Sequence, residues 1–147
     1  MIDHRWQLWL LGWAVSALLL AALYLWQQRT GDATVVDAGW AASLVLCAAL
    51  YGALAPGSLT ARLAIALPVG LESLRITALV RRRLGHGEDS RYQELRRQWK
   101  TNLPIKFLIF FQLQAVTCVV LSAPFLLAAT NPAAGMRCQP IPSRTRI

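Results

Sequence analysis

The stretch WQLWLLGWAVSALLLAALYLW, residues 6–26, decides the fold: no charged residue occurs between Arg5 and Arg29. At about 1.5 Å of rise per residue, a helix of this length crosses a hydrocarbon core about 30 Å thick. The run exceeds the roughly 7 to 15 apolar residues of a signal peptide, and no small-residue cleavage site follows it, so it is expected to stay in the mature protein. Trp6, Trp9 and Trp13 near one end, and Tyr24 and Trp26 near the other, suit headgroup depth as interfacial anchors; the alternative is ordinary packing aromatics. Outward from this segment, three more apolar stretches of similar length follow at residues 34–54, 59–80 and 107–129. The sequence therefore predicts an all-α polytopic membrane helix bundle of four spans over residues 1–130, with a polar tail at 131–147.

Composition agrees. Of 147 residues, 56% are hydrophobic and 15% are charged, too few charges to dress a water-facing surface. Disordered, coiled-coil and disulfide-scaffold classes are excluded with the soluble ones. The 15 basic and 7 acidic residues give a net charge of +8, which in a soluble protein would suggest a nucleic-acid partner. Here more than half of the cations gather in the loop 81–106, so the expected partner is the lipid bilayer and not nucleic acid. By the positive-inside rule this loop is cytoplasmic, the turn at Pro56 and Gly57 lies outside, and the chain belongs in the bacterial inner membrane with its amino terminus outside. The tail runs against this assignment, since it carries Arg137, Arg144 and Arg146 to the outside.

Within the loop, Gly85 and Gly87 form a connector, and Ser90 with Gln93 three residues later has capping-box spacing, so a short helix is expected from Ser90. Tyr92, Leu95 and Trp99 make its apolar edge, suited to insertion in the membrane interface with the cations near anionic headgroups. Alternatively, the clustered arginines receive the phosphates of a cofactor or substrate, because guanidinium forks match phosphate oxygens.

Glu72 and Arg75 stand near the middle of the third span, where a charge costs roughly 2.5 to 3.5 kcal/mol. They are expected to avoid lipid. Their spacing lets them neutralise each other on one helical face, and Arg82 continues that face toward the loop. Pro68, one turn earlier, is expected to loosen the helix and open a crevice at that depth. The pair either fixes helix register or serves binding and proton delivery. Asp37 suits the positive end of the second helix, and Arg62 can snorkel at the outer end of the third. Cys47, Cys118 and Cys138 have neither CxxC spacing nor partner histidines, His4 and His86 lie outside the spans, and no Walker, GxGxxG, GxSxG or HExxH motif occurs, so a self-contained active site is not expected.

The stretches VVDAGW (35–40), SLRITALVRRRLGHGEDSRYQELRRQW (73–99) and FFQLQAV (110–116), in this order and spacing, resemble the bacterial DUF1295 membrane proteins, relatives of the steroid 5-alpha-reductase superfamily. The resemblance implies a multi-pass reductase fold in which NADPH enters from the cytoplasm and delivers a hydride to an enone-like lipid or steroid held between helices. It also implies that Arg75, Arg82, Arg83, Asp89, Arg91 and Tyr92 serve cofactor binding, with Asp37, Trp40 and Glu88 in the matching motifs. By depth, Glu72 resembles the buried acid that polarises the substrate carbonyl. Family members carry a further half with an Arg-His-Pro segment, whereas here the chain turns after NPAAG to MRCQPIPSRTRI. The expectation is the front half of such a protein, truncated or frameshifted and inactive alone. Two rivals are a small membrane protein that works by assembly with a partner helix, and an S-adenosylmethionine-dependent membrane methyltransferase.

Overall fold

The computed structural model describes residues 5–55, 59–83 and 87–130. The turn at Pro56 and Gly57, the Gly85 connector, Cys138, the tail from 131 and the side chain of Arg83 lie outside the described residues. Five helices follow one another: α1 (Arg5–Thr30), α2 (Val35–Leu54), α3 (Leu59–Arg83), α4 (Ser90–Trp99) and α5 (Leu103–Ala129). No strand occurs among the described residues, and α1, α2, α3 and α5 are each long and apolar enough to cross a membrane. The fold is an all-α membrane-type bundle. It extends the expected spans: α1 runs on to Thr30, and α5 starts at Leu103, where Pro104 occupies its first turn and cannot waste a backbone donor.

Close packing of α1 on α2 organises the bundle. Small residues permit it: a Cβ on Gly12 would sit 2.5 Å from the Tyr51 hydroxyl, and one on Gly39 would sit 2.3 Å from a Leu23 methyl. Inside, a polar thread crosses the apolar core. Ser16 meets the Cys47 sulfur at 3.5 Å, and Tyr51 meets Ser122 at 3.0 Å, which joins α1 to α2 and α2 to α5. Helix α5 fills the groove beside α1 and α2, whereas α3 packs along α2 and only in part against α5.

Helix ends are tied down locally. Gly31 closes α1 at φ 74°, its N–H donating to the Gln27 carbonyl at 2.9 Å. Arg62 donates to the carbonyls of Gly52 and Ala53 in the last turn of α2, where a cation offsets the negative helix end. It does not simply snorkel to water. Trp6, Trp9, Trp13 and Trp26 are exposed, as membrane anchors require. Tyr24 is not: its hydroxyl donates to the Pro104 carbonyl at 3.0 Å and its ring meets Phe111 edge-on, which makes it a packing residue between α1 and α5.

Candidate functional site

The α4 end of the bundle gathers residues from three distant stretches. Asp89 caps α4, its carboxylate accepting from the Arg91 N–H at 3.0 Å. The cap therefore sits one residue before the expected Ser90, and Gln93 reaches back to the Glu88 carbonyl at 2.7 Å without forming a capping box. Asp89 binds the adjacent turn as well, since its own N–H donates to Thr34 Oγ1 at 3.0 Å. Glu88 makes a parallel connection: one oxygen accepts from the Ala33 N–H at 3.0 Å, and Arg96 Nε lies 2.9 Å from the other. Arg96 also donates to the Gly31 carbonyl at 2.9 Å and lies over the Phe107 ring.

Asp37 is the centre of this latch. Its two oxygens accept from Arg91 Nη2 at 2.9 Å and from the Tyr92 hydroxyl at 2.7 Å. Its place in the first turn of α2 also lets it favour the positive helix end. Burial chiefly, and then the Asp37 carboxylate, push the Tyr92 phenol above its ordinary value of 10.0. The folded chain thus favours the neutral phenol. By linkage this contribution to stability is complete below about pH 10 and fades as the pH climbs beyond it.

Tyr92, Leu95 and Trp99, expected to insert in a lipid interface, turn their apolar edge to protein. They pack on protein: Trp99 meets Phe107 at 5.1 Å between ring centroids, and Tyr92 meets Phe110 at 6.1 Å, both edge-to-face. VVDAGW, GEDSRY and FFQLQAV, far apart in sequence, converge on this one end of the bundle. SLR, carrying Arg75, stands apart on α3.

A crevice between α2 and α3 begins beside the latch. Asp37, Trp40, Ile76, Leu79, Val80 and Arg91 line a cavity of about 280 Å³. Deeper, and sharing Ile76, lies a second cavity of about 250 Å³ walled by Ala41, Leu44, Pro68, Val69 and Phe125, with Glu72 and Ser73 as its polar side chains. Pro68 thus sits at the crevice its lost hydrogen bond was expected to open. Ser73, only 7% exposed, was missed in the sequence, where its one signal is adjacency to Glu72.

The predicted residues divide into three sets. Asp89, Arg91 and Tyr92 are joined in the latch. Glu72 and Arg75 form the expected ion pair at 2.9 Å, but it is not sheltered: their side chains are 55% and 71% exposed. The reason is the peripheral place of α3, which turns this face away from its neighbours. Arg82 lines a concavity of about 340 Å³ with Ala78 and with Arg81, which was not among the predicted site residues; neither arginine has a carboxylate partner among the described residues, and the side chain of Arg83 lies outside them. Thr34 and Arg96 also belong to the latch but were not singled out: Thr34 falls just before VVDAGW, and Arg96 lies in the 73–99 stretch without a role assigned to it. Among the described residues, no group of three His, Cys, Asp or Glu side chains is placed to hold a metal.

No curated protein and no solved structure matches the chain. The family model described as a protein of unknown function, DUF1295, matches residues 23–141, which include the latch, the crevice, Arg81 and Arg82. This multi-pass, membrane-helical chain belongs to the DUF1295 family.

Proposed function

We propose that the α2–α3 crevice holds an enone-like lipid or steroid and that the chain acts as part of an NADPH-dependent oxidoreductase of the steroid 5-alpha-reductase kind. The observation that carries this reading is an apolar crevice beside the middle of the candidate span Arg62–Arg82, whose deeper part has Glu72 and Ser73 as its polar side chains. Such a wall excludes water, accepts a hydrophobic body and meets the polar end of the guest at one place.

The residues fit the cofactor in part. Arg91 is neutralised by Asp37 and Asp89, Arg75 by Glu72, and the Asp89 carboxylate would repel a phosphate. Arg81 and Arg82 have no such partner, so they are the side chains that suit dinucleotide phosphates. When bound, NADPH supplies a hydride to the guest. The chain's own residues position it: Ser73 can donate to a carbonyl oxygen, Glu72 at the crevice edge fixes the polar end, and the latch holds Asp37 and Arg91 at the mouth. The cations at this end, including Arg97, Lys100 and Lys106, support the reading that it faces the cytoplasm, by the positive-inside rule.

The test is binding and not turnover, and it is aimed at Arg81 and Arg82, the two cations that line the concavity at the end of α3. Purified chain in lipid nanodiscs is titrated with NADPH and, separately, with a fluorescent enone steroid. Wild type is expected to bind both. Arg81→Glu with Arg82→Glu should weaken NADPH binding at least tenfold and spare the steroid, whereas Glu72→Gln should do the reverse. Binding of S-adenosylmethionine in place of NADPH would replace hydride transfer by methyl transfer. Binding of neither cofactor nor steroid would leave a membrane assembly protein.

A further inference from the structure

Glu72 occupies the centre of the candidate span Arg62–Arg82, and no other charged residue lies between Arg62 and Arg81 except its partner Arg75. Both contacts of the pair fall on one carboxylate oxygen, Arg75 Nε at 3.2 Å and Nη2 at 2.9 Å from Glu72 Oε1. Glu72 Oε2 and Arg75 Nη1 therefore meet no partner among the described residues. Around them, Leu67, Leu71 and Leu74 are also exposed, at 64%, 68% and 70%. Lipid tails offer these polar atoms nothing, and a glutamate side chain is too short to reach the headgroups from mid-span.

We infer that a second copy of the chain covers this face of α3. Charge complementarity identifies this occupant. The face carries one anion and one cation a single turn apart, about 4.5 Å along the axis. Two copies inserted with the same topology are related by a two-fold axis along the membrane normal, and their α3 helices then run parallel. In that arrangement equal positions lie at equal depth, so the long Arg75 side chain of each copy reaches across the axis and over the offset of about 4.5 Å to Glu72 of the other, and the atoms left over by the internal pair gain partners. A helix bearing one sign of charge would satisfy one ion and leave the other in lipid. The flanking leucines close around the four ions, and the second copy shields the open edge of the crevice at Glu72. This pairing does not depend on what the crevice binds.

The experiment uses full-length chains labelled separately with donor and acceptor fluorophores and reconstituted together in liposomes at low protein-to-lipid ratio. Wild-type copies are expected to transfer energy well above a monomeric membrane-protein control. E72R alone and R75E alone each place like charges across the axis, and each should weaken pairing at least tenfold. Mixing E72R with R75E should restore it, as should both swaps within one chain. Restoration cannot come from misfolded variants, so it separates a lost interface from a lost fold. Wild type that stays single in the bilayer, single variants that pair as well as wild type, or a mixture of folded variants that fails to regain transfer would each overturn the inference.

Discussion

Asp37→Ala is expected to release α4 from the bundle. The charge pair is the smaller part of the effect: Arg91 is 59% exposed, such pairs contribute about 0 to 1 kcal/mol, and Asp89 still holds its guanidinium. The larger part is the Tyr92 hydroxyl. Tyr92 is 4% exposed, and without Asp37 its donor stays buried and unmatched at a cost of about 1 to 3 kcal/mol. Because Thr34, Ala33 and Gly31 hold the same segment through Asp89, Glu88 and Arg96, the loss should be local opening and not global unfolding. The measurement is limited proteolysis in nanodiscs, with cleavage within residues 88–100 accelerated about tenfold or more while the four long helices stay intact. Asp37→Asn keeps an oxygen acceptor for Tyr92 and should lose much less. Equal cleavage of wild type and Asp37→Ala would show that the latch does not hold α4.

Gly12→Ala should disturb the bundle as a whole. The new Cβ would lie 2.5 Å from the Tyr51 hydroxyl, 3.2 Å from its ring carbon and 3.3 Å from the Cys47 sulfur. Tyr51 is 1% exposed and anchored to Ser122 at 3.0 Å, so it has no free direction in which to yield. Overpacking of this kind costs about 1 to 3 kcal/mol, and displacement of the Tyr51–Ser122 bond adds about 1 kcal/mol. Thermal unfolding in detergent should show a lowered Tm for Gly12→Ala. Tyr51→Phe removes the clashing oxygen, so the double variant should regain part of the loss. Such non-additivity is the signature of contact between the two residues.

Lipid as solvent made the long helices legible. An unbroken apolar run has few alternatives, and 6–26 is contained in α1 just as 34–54 coincides nearly with α2. The Glu72–Arg75 pair was equally legible because helical spacing is a local property. Its exposure was not, since that depends on where α3 sits. The latch was illegible for a related reason: Asp37 is 54 residues from Arg91 and 55 from Tyr92, and no period connects them. Asp37 read alone is an acid at a helix start, which is true but incomplete. Likewise, the apolar edge of α4 was visible, but a lipid interface and the rings of Phe107 and Phe110 present the same apolar demand to the sequence.

All of this requires that α1, α2, α3 and α5 lie within a bilayer. The direct measurement is flotation of membranes from an expressing bacterial host on a density gradient after an alkaline carbonate wash. The full chain is expected to rise with the lipid and to leave it only when detergent is added. Chain recovered as dissolved protein in the wash, with the lipid floating free of it, would show that these four helices do not lie in a bilayer.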